Sequence, residues 1–193
     1  MRNTLMTVLD HVAPLTSSVE YRVVGTAASA LHGARVPVGD IDLLFRDRQS
    51  MDCFAAALAT LPAAECLFPP AWLEPARQYF ARYLVNGALI ELSTIETETQ
   101  SDTRECIGRG PWEHYSWVDC GRHRVPVVSL ELRLLTELRR DRPDRFGPIT
   151  EHMRQHGCNL ELVRRGLPNV GGGMPEDRQR EVLDQLSGVA RRI

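Results

Sequence analysis

Residues 21–45 constrain this chain more than any other stretch of it. An apolar run ends at Gly25-Thr26, a segment of small residues follows, and a second apolar run carries Asp40 and Asp42. The change in hydrophobic periodicity predicts a strand, a short helix and a second strand. The predicted elements are Tyr21–Val24, Thr26–His32 and Ile41–Phe45.

These three elements bring two chemical features together. Carboxylates spaced i, i+2 on a strand point to the same face of the sheet, as Asp40 and Asp42 would. A Gly-Thr turn at a helix N-terminus, here Gly25-Thr26, offers backbone N–H groups to phosphate. Carboxylate oxygens such as those of Asp40 and Asp42 are the hard ligands that hold Mg²⁺ in proteins. The stretch therefore predicts a site for a metal-bound nucleoside triphosphate.

In this stretch the chain resembles the nucleotidyltransferase superfamily typified by DNA polymerase β. It is most similar to a small bacterial branch that includes antibiotic-modifying nucleotidyltransferases and the nucleotidyltransferase toxins of abortive-infection systems. The signature is an apolar residue, Gly-Gly or Gly-Ser, a helix, and Asp-x-Asp on the next strand. Gly25-Thr26, His32-Gly33 and Asp40-Ile41-Asp42 stand at those positions. The resemblance is strong over residues 21–45, weaker to about residue 155, and absent beyond.

The resemblance implies a metal centre built from three carboxylates. Asp40 and Asp42 would bind Mg²⁺ or Mn²⁺. The family's third carboxylate lies on a neighbouring strand between apolar residues, and Leu89-Ile90-Glu91-Leu92 has that form. Glu91 would therefore be a further metal ligand, or the base that deprotonates the acceptor hydroxyl. Glutamate is a mild departure here, since the family often has aspartate.

The resemblance also implies the residues that hold the nucleotide. Gly25 and Thr26 would bind the β- and γ-phosphates. Arg133 stands where small bacterial members carry a lysine and would contact the triphosphate. All 23 basic residues of the chain are arginine, so phosphate contacts must come from arginine or backbone. Two departures concern polar positions before the first aspartate, where this chain has Val36 and Val38.

The histidines are the other metal-ligand candidates in the sequence. His152 and His156 are spaced i, i+4 on a predicted helix, a spacing that can bind zinc. No third ligand accompanies them, which favours surface histidines. His32 is interpreted as a packing residue, or as one that supports the site from behind.

The rest of the chain predicts an α/β (α+β) fold, with a nucleotidyltransferase-type mixed β-sheet flanked by helices and a C-terminal helical extension. Asn86-Gly87 between two strand-like runs is a strong hairpin signal. We expect a nucleotidyltransferase-like domain over residues 1–128 and a helical region over 129–193 that packs on it. Further expectations are a helix capped by Ser50, a loop at Pro69–Trp72, a helix over 95–107, a strand pair around Gly121, a helix over Ser129–Arg140, one with Pro143 in its first turn, a short one over Asn159–Arg165 and an amphipathic one over Pro175–Ile193.

Composition limits the classes of partner. The net charge of -2 disfavours nucleic acid in bulk, without excluding a local basic patch. Five scattered cysteines, without a C-x-x-C pair, favour reduced thiols and a cytoplasmic location. No signal pattern and no apolar run of about 20 residues is present, so no membrane association is expected. The sequence contains nothing that fixes the oligomeric state.

The function implied is Mg²⁺-dependent transfer of a nucleoside monophosphate from NTP to a hydroxyl acceptor, with release of pyrophosphate. A small molecule, a protein side chain and a tRNA end are all compatible acceptors, and the charge balance disfavours tRNA. Two alternatives stay open. One is a catalytically degenerate binding module, motivated by Thr26, Val36 and Val38; the other is the toxin of a toxin–antitoxin pair.

Overall fold

Seven strands form one mixed sheet in the computed structural model, which describes residues 1–15, 19–96, 105, 109–170 and 173–187. In space the strands follow the order β3-β4-β5-β2-β1-β7-β6. Their bounds are Tyr21–Val24 (β1), Asp40–Phe45 (β2), Ala64–Leu73 (β3), Gln78–Val85 (β4), Ala88–Thr94 (β5), Tyr115–Cys120 (β6) and His123–Val128 (β7).

The register of the central strands sets which residues lie side by side across the sheet. Strand β2 runs antiparallel to β1 and parallel to β5, and β4 runs antiparallel to β5. Val24 pairs with Asp42, Asp42 with Glu91, and Glu91 with Arg82. Paired residues on neighbouring strands face the same side, so this row of four crosses one face of the sheet.

The helices of the described residues lie before, between and after the strands. Their bounds are Arg2–Val12 (α1), Gly25–Leu31 (α2), Arg48–Ala59 (α3), Gly110–Glu113 (α4), Leu130–Arg139 (α5), Pro143–His156 (α6), Leu160–Gly166 (α7) and Glu176–Ser187 (α8). Helix α5 packs against α2, and α8 packs against α6 and α7. None of the described helices is long and apolar enough to cross a membrane.

Alternation over residues 40–43 of β2 separates the core from the acidic face, and Leu44, further along that face, is buried as well. Ile41, Leu43 and Phe45 are almost fully buried, and they alternate with the two aspartates as period 2 requires. Phe45 packs on Phe54 of α3, with ring centroids 5.1 Å apart. Burying this apolar side of the sheet against α3 fixes the register, since a one-residue slip would turn the aspartates into the core.

Most predicted elements are confirmed, and the hairpin most closely. Asn86 and Gly87 both have positive φ, at 49° and 77°, as a two-residue turn of type I′ needs. The strand–helix–strand unit of residues 21–45 and the strand pair around Gly121 are also present. The mixed α/β fold is therefore the predicted one. All described strands end by Val128, and helices α5 to α8 follow; the division into two domains stays a prediction.

Two expectations were wrong. The segment Pro69–Trp72 lies within strand β3 rather than in a loop. This strand is at the edge of the sheet and has register shifts against β4, and prolines are tolerated at edges and bulges because ladder N–H groups are dispensable there. The cap of α3 is Asp47, whose carboxylate accepts from the Ser50 backbone N–H at 2.7 Å.

Part of the remaining expectations lies outside the described residues. The helix expected over 95–107 falls there except for residues 95, 96 and 105. The amphipathic helix expected over 175–193 is present as α8, and residues 188–193 lie outside the described part.

Candidate active site

Three carboxylates converge on one face of the sheet. Asp40, Asp42 and Glu91 each offer an oxygen, and these oxygens lie within 4.8 Å of one another. All three side chains are half-buried. Among the described residues, no other group of three metal-ligating side chains comes as close together. A set of three hard oxygen donors fits a divalent cation such as Mg²⁺ or Mn²⁺.

The electrostatics of this acidic triad show that negative charge is crowded around Asp42. Burial, then the charges of Asp40 and Glu91, raise the pKa of Asp42 from 3.8 to about 8. Arg133 opposes this rise, and Glu105 adds to it. Like charges so close together cannot all stay ionised without a counter-charge. A bound divalent cation would supply it.

Gly25 lets helix α2 begin directly beside Asp42. Its φ is +64°, in the left-handed region that glycine adopts without strain. A Cβ at this position would lie 1.8 Å from Asp42 Oδ2, so no larger residue fits while Asp42 keeps its place. The close approach sets the first turn of α2 against the acidic triad.

Thr26 lies in the first turn of α2, one residue later than the true helix start. The N-cap is Val24, an extended residue whose side chain makes no capping hydrogen bond. The Thr26 side chain is buried, with 5% exposure. The Gly25-Thr26 turn therefore lies at the start of a helix as expected, and the N-cap side chain does not cap its first-turn N–H groups. Phosphate binding by this turn stays a prediction.

Arg82 reaches Glu91 across the β4–β5 hairpin. Its Nε and Nη2 donate to Glu91 Oε1 at 2.8 and 2.7 Å. The Arg82 side chain is 44% exposed and that of Glu91 is 19% exposed. The acidic triad thus has a guanidinium at its open edge, a residue that the sequence analysis did not single out.

Arg133 lies in the interior rather than at this open edge. Its guanidinium is 1% exposed and forms ion pairs with Glu105 and Glu137, both buried. Its Nε donates to Ser29 Oγ of α2 at 3.3 Å. The direct triphosphate contact that the resemblance implies would require this buried arginine cluster (Arg133, Glu105, Glu137) to open.

The histidines take structural positions. Burial lowers the pKa of His32, and its Nε2 lies 2.9 Å from the Val128 carbonyl, so the neutral ring donates there. His152 and His156 stack with centroids 4.1 Å apart. Neither belongs to a three-ligand metal cluster among the described residues.

The site residues that the sequence analysis missed differ in how much signal the sequence carries for them. Arg82 follows from the sequence once the two-residue turn is fixed, because counting back from Asn86-Gly87 places it opposite Glu91. Glu137 stands four residues after Arg133 on a predicted helix, a spacing that brings side chains together. Glu105 carries no local signal, since its partners lie 28 and more residues away.

Comparisons with known proteins agree on the fold. No family model and no curated protein matches the sequence. Among solved structures, a nucleotidyltransferase-like antigenic protein from Paracoccidioides brasiliensis has a TM-score of 0.55 at 15% identity, covering 97% of this chain and 95% of that one. A nucleotidyltransferase described as putative from Thermotoga maritima has 0.52 at 18%, covering 79% and 92%. ANT(2")-Ia in complex with adenylyl-2"-tobramycin has 0.51 at 14%, covering 97% of each chain. At these identities the likeness shows the nucleotidyltransferase fold.

Proposed function

We propose that this chain is a metal-dependent nucleotidyltransferase, which transfers a nucleoside monophosphate from NTP to an acceptor hydroxyl and releases pyrophosphate. The observation that carries the proposal is the convergence of Asp40, Asp42 and Glu91 within 4.8 Å, on the sheet face where α2 begins. A cluster of three half-buried carboxylates is costly to keep without a cation. The solved structures with this fold, described as nucleotidyltransferases, support the same reaction class.

The three acids would hold the metal. Asp40 and Asp42 present their carboxylates from one strand, and Glu91 presents its own from the neighbouring parallel strand at the level of Asp42. Bound there, Mg²⁺ would neutralise the triphosphate and align the attacking oxygen with the scissile bond. We assign Glu91 as a ligand because its oxygen is within reach of both aspartates. Acting as the acceptor's base remains the alternative role for Glu91.

The turn at the start of α2 would bind the phosphates. Gly25 brings the backbone next to Asp42, so phosphate oxygens held by the first-turn N–H groups would also lie near the metal ligands. The Thr26 hydroxyl would add a donor from the same turn. The N-terminal end of the helix dipole favours negative charge at this position.

The acceptor would carry a hydroxyl group. ANT(2")-Ia was determined with an adenylylated tobramycin, so one protein with this fold is found with a nucleotidylated small molecule. A small hydroxylated molecule is therefore the first acceptor class to test, followed by protein side chains and tRNA ends. The net charge of -2 places the nucleic acid last.

Label transfer tests the reaction itself. Each of the four NTPs, labelled at the α-phosphate, is incubated with the protein and Mg²⁺ in the presence of hydroxylated antibiotics, a protein extract or total tRNA. We expect label on one acceptor class, lost with EDTA and with Asp42→Asn. The matched control is Asp184→Asn, an exposed aspartate of α8, which should keep full activity. Transfer that persists in Asp42→Asn would contradict the assignment of the site.

The catalytically degenerate module is the second candidate. Val36 and Val38 stand where relatives carry polar residues, and both pack against the core. A degenerate module would bind NTP or a partner and transfer no label to any acceptor. Toxicity on expression that Asp40→Ala relieves would instead favour a toxin.

A further inference from the structure

Arg82 is the guanidinium that contacts the acidic triad at its open edge. It lies directly opposite Glu91 on the antiparallel β4–β5 pair, and two of its nitrogens contact one oxygen of Glu91 at 2.8 and 2.7 Å. The side chain is 44% exposed and its guanidinium lies over the ring of Phe80, 5.4 Å from the centroid, so it can move without unpacking the core. Its position makes it both the partner of a metal-ligand candidate and a neighbour of the space in front of the triad.

A cation that binds the triad must compete with this guanidinium. Glu91 Oε1 accepts both donors of Arg82, and the carboxylates of Asp40 and Asp42 lie next to it. Once a divalent ion neutralises Glu91, the attraction that holds Arg82 to it weakens, because like charges then face each other. The forked donors of Arg82 are then available to another anion. An arginine fork matches phosphate oxygens, and charge-assisted pairs of this type are among the strong ones.

We propose that Arg82 changes partner during the reaction cycle: it holds Glu91 in the metal-free protein and binds a phosphate of the NTP once the ion occupies the triad. The inference rests on the proposed function and assigns it a phosphate-binding residue in addition to Gly25 and Thr26. Arg82 thereby positions Glu91 beside the aspartates before the substrate arrives.

An ordinary surface ion pair is the competing explanation, and the chain contains one for comparison. Arg48 contacts Glu96 through Nε and Nη2, both at 2.7 Å, and its side chain is 50% exposed. That pair lies beyond the opposite end of β2, and Arg48 also lies over the rings of Trp72 and Tyr79. Pairs of this kind contribute little to stability. Arg48→Met is therefore the matched control for Arg82→Met.

The test measures two affinities whose changes have opposite signs. Mn²⁺ binding without nucleotide is followed by electron paramagnetic resonance, and Mg²⁺-NTP binding by calorimetry with each of ATP, GTP, CTP and UTP. In Arg82→Met we expect Mn²⁺ to bind severalfold more tightly, because its competitor is gone, and the nucleotide to bind about tenfold more weakly, because a charge-assisted contact is lost. Arg82→Lys should keep part of the nucleotide affinity, and Arg48→Met should match wild type in both.

The opposite signs separate the proposal from a folding defect, which would weaken both affinities together. Equal affinities in wild type and Arg82→Met, with wild type binding Mg²⁺-NTP, would overturn this inference and leave the proposed function intact. Weaker Mn²⁺ binding in Arg82→Met would also overturn it. If wild type binds no NTP at all, the proposed function itself fails.

Discussion

Two arginine–glutamate clusters lie on either side of the acidic triad, and they differ mainly in solvent exposure. Arg82 and Glu91 meet at the open edge, where the arginine is 44% exposed. Arg133 meets Glu105 and Glu137 in the interior, where all three side chains are at most 2% exposed. An exposed pair can exchange partners at little cost, whereas a buried cluster is fixed, because breaking it leaves uncompensated charge in a low dielectric.

The comparison distinguishes the arginine that contacts a metal-ligand candidate directly from the arginine that fixes the framework around the site. The buried arginine cluster reaches α2 through Ser29, and α2 reaches Asp42 through Gly25. The open pair touches Glu91 directly. The interior therefore fixes the framework of the site, and the exposed edge remains adjustable.

Replacing Arg133 should have the largest effect on stability. Arg133→Met leaves Glu105 buried without its counter-charge and Glu137 with only the more distant Arg145, 3.7 Å away. The loss costs about 3–5 kcal/mol of the free energy of unfolding. Arg82→Met should change it by about 0–1 kcal/mol, as exposed pairs do. Denaturant unfolding of both variants measures the difference. Equal effects would break the distinction between the two clusters.

Gly25→Ala should abolish Mg²⁺-NTP binding through a collision with Asp42. The new Cβ would lie 1.8 Å from Asp42 Oδ2, and the positive φ adds about 1–2 kcal/mol of strain. Gly87→Ala is the matched control, since φ there is +77° and nothing lies within 4 Å of its Cβ. Calorimetry should show normal binding by Gly87→Ala. A Gly25→Ala protein that binds nucleotide normally would mean that the close approach to Asp42 is dispensable.

The acids at the centre of the fold are the part that the sequence predicts best. The i, i+2 spacing on an alternating strand fixes the face of Asp40 and Asp42, and the Asn86-Gly87 turn fixes the hairpin that carries Glu91. The same turn also fixes Arg82, by register. The burial of Arg133 is hidden because Glu105 reaches it from a distant segment, so tertiary packing rather than local pattern decides its partner. The β3 strand is missed for a related reason, since prolines break strands in general and are accepted at this bulged edge.

Asp42 should give the metal-free protein a pH-dependent stability. Its folded pKa of about 8 exceeds the unfolded value of 3.8, so the folded state keeps a proton that the unfolded chain has lost between about pH 4 and pH 8. Asp42 therefore contributes less stability as the pH rises through this window. We expect the free energy of unfolding of Asp42→Asn, relative to wild type, to rise from pH 5 to pH 8. In thermal melts with EDTA, a difference that stays constant or falls would contradict the charge crowding described here.

Ser29→Ala should have the smallest effect on nucleotide affinity and shows how far the buried cluster influences the site. The change removes the acceptor of the Arg133 Nε–H, a 3.3 Å contact, and costs about 1 kcal/mol. We expect a small drop in Tm and a nucleotide affinity reduced less than by Arg82→Met. Ser187→Ala removes a hydrogen bond within α8, a helix that packs on α6 and α7, and is the control. A larger loss of nucleotide affinity in Ser29→Ala than in Arg82→Met would reverse the roles of the two clusters.

The most direct test of the central claim is calorimetric titration of NTP into wild type and Asp40→Ala/Asp42→Ala, each with and without Mg²⁺. The account predicts binding by wild type that requires Mg²⁺ and disappears in the double variant, while circular dichroism shows that the variant is folded. Binding that needs no metal, or that survives loss of both aspartates, would contradict a metal-nucleotide site at Asp40, Asp42 and Glu91.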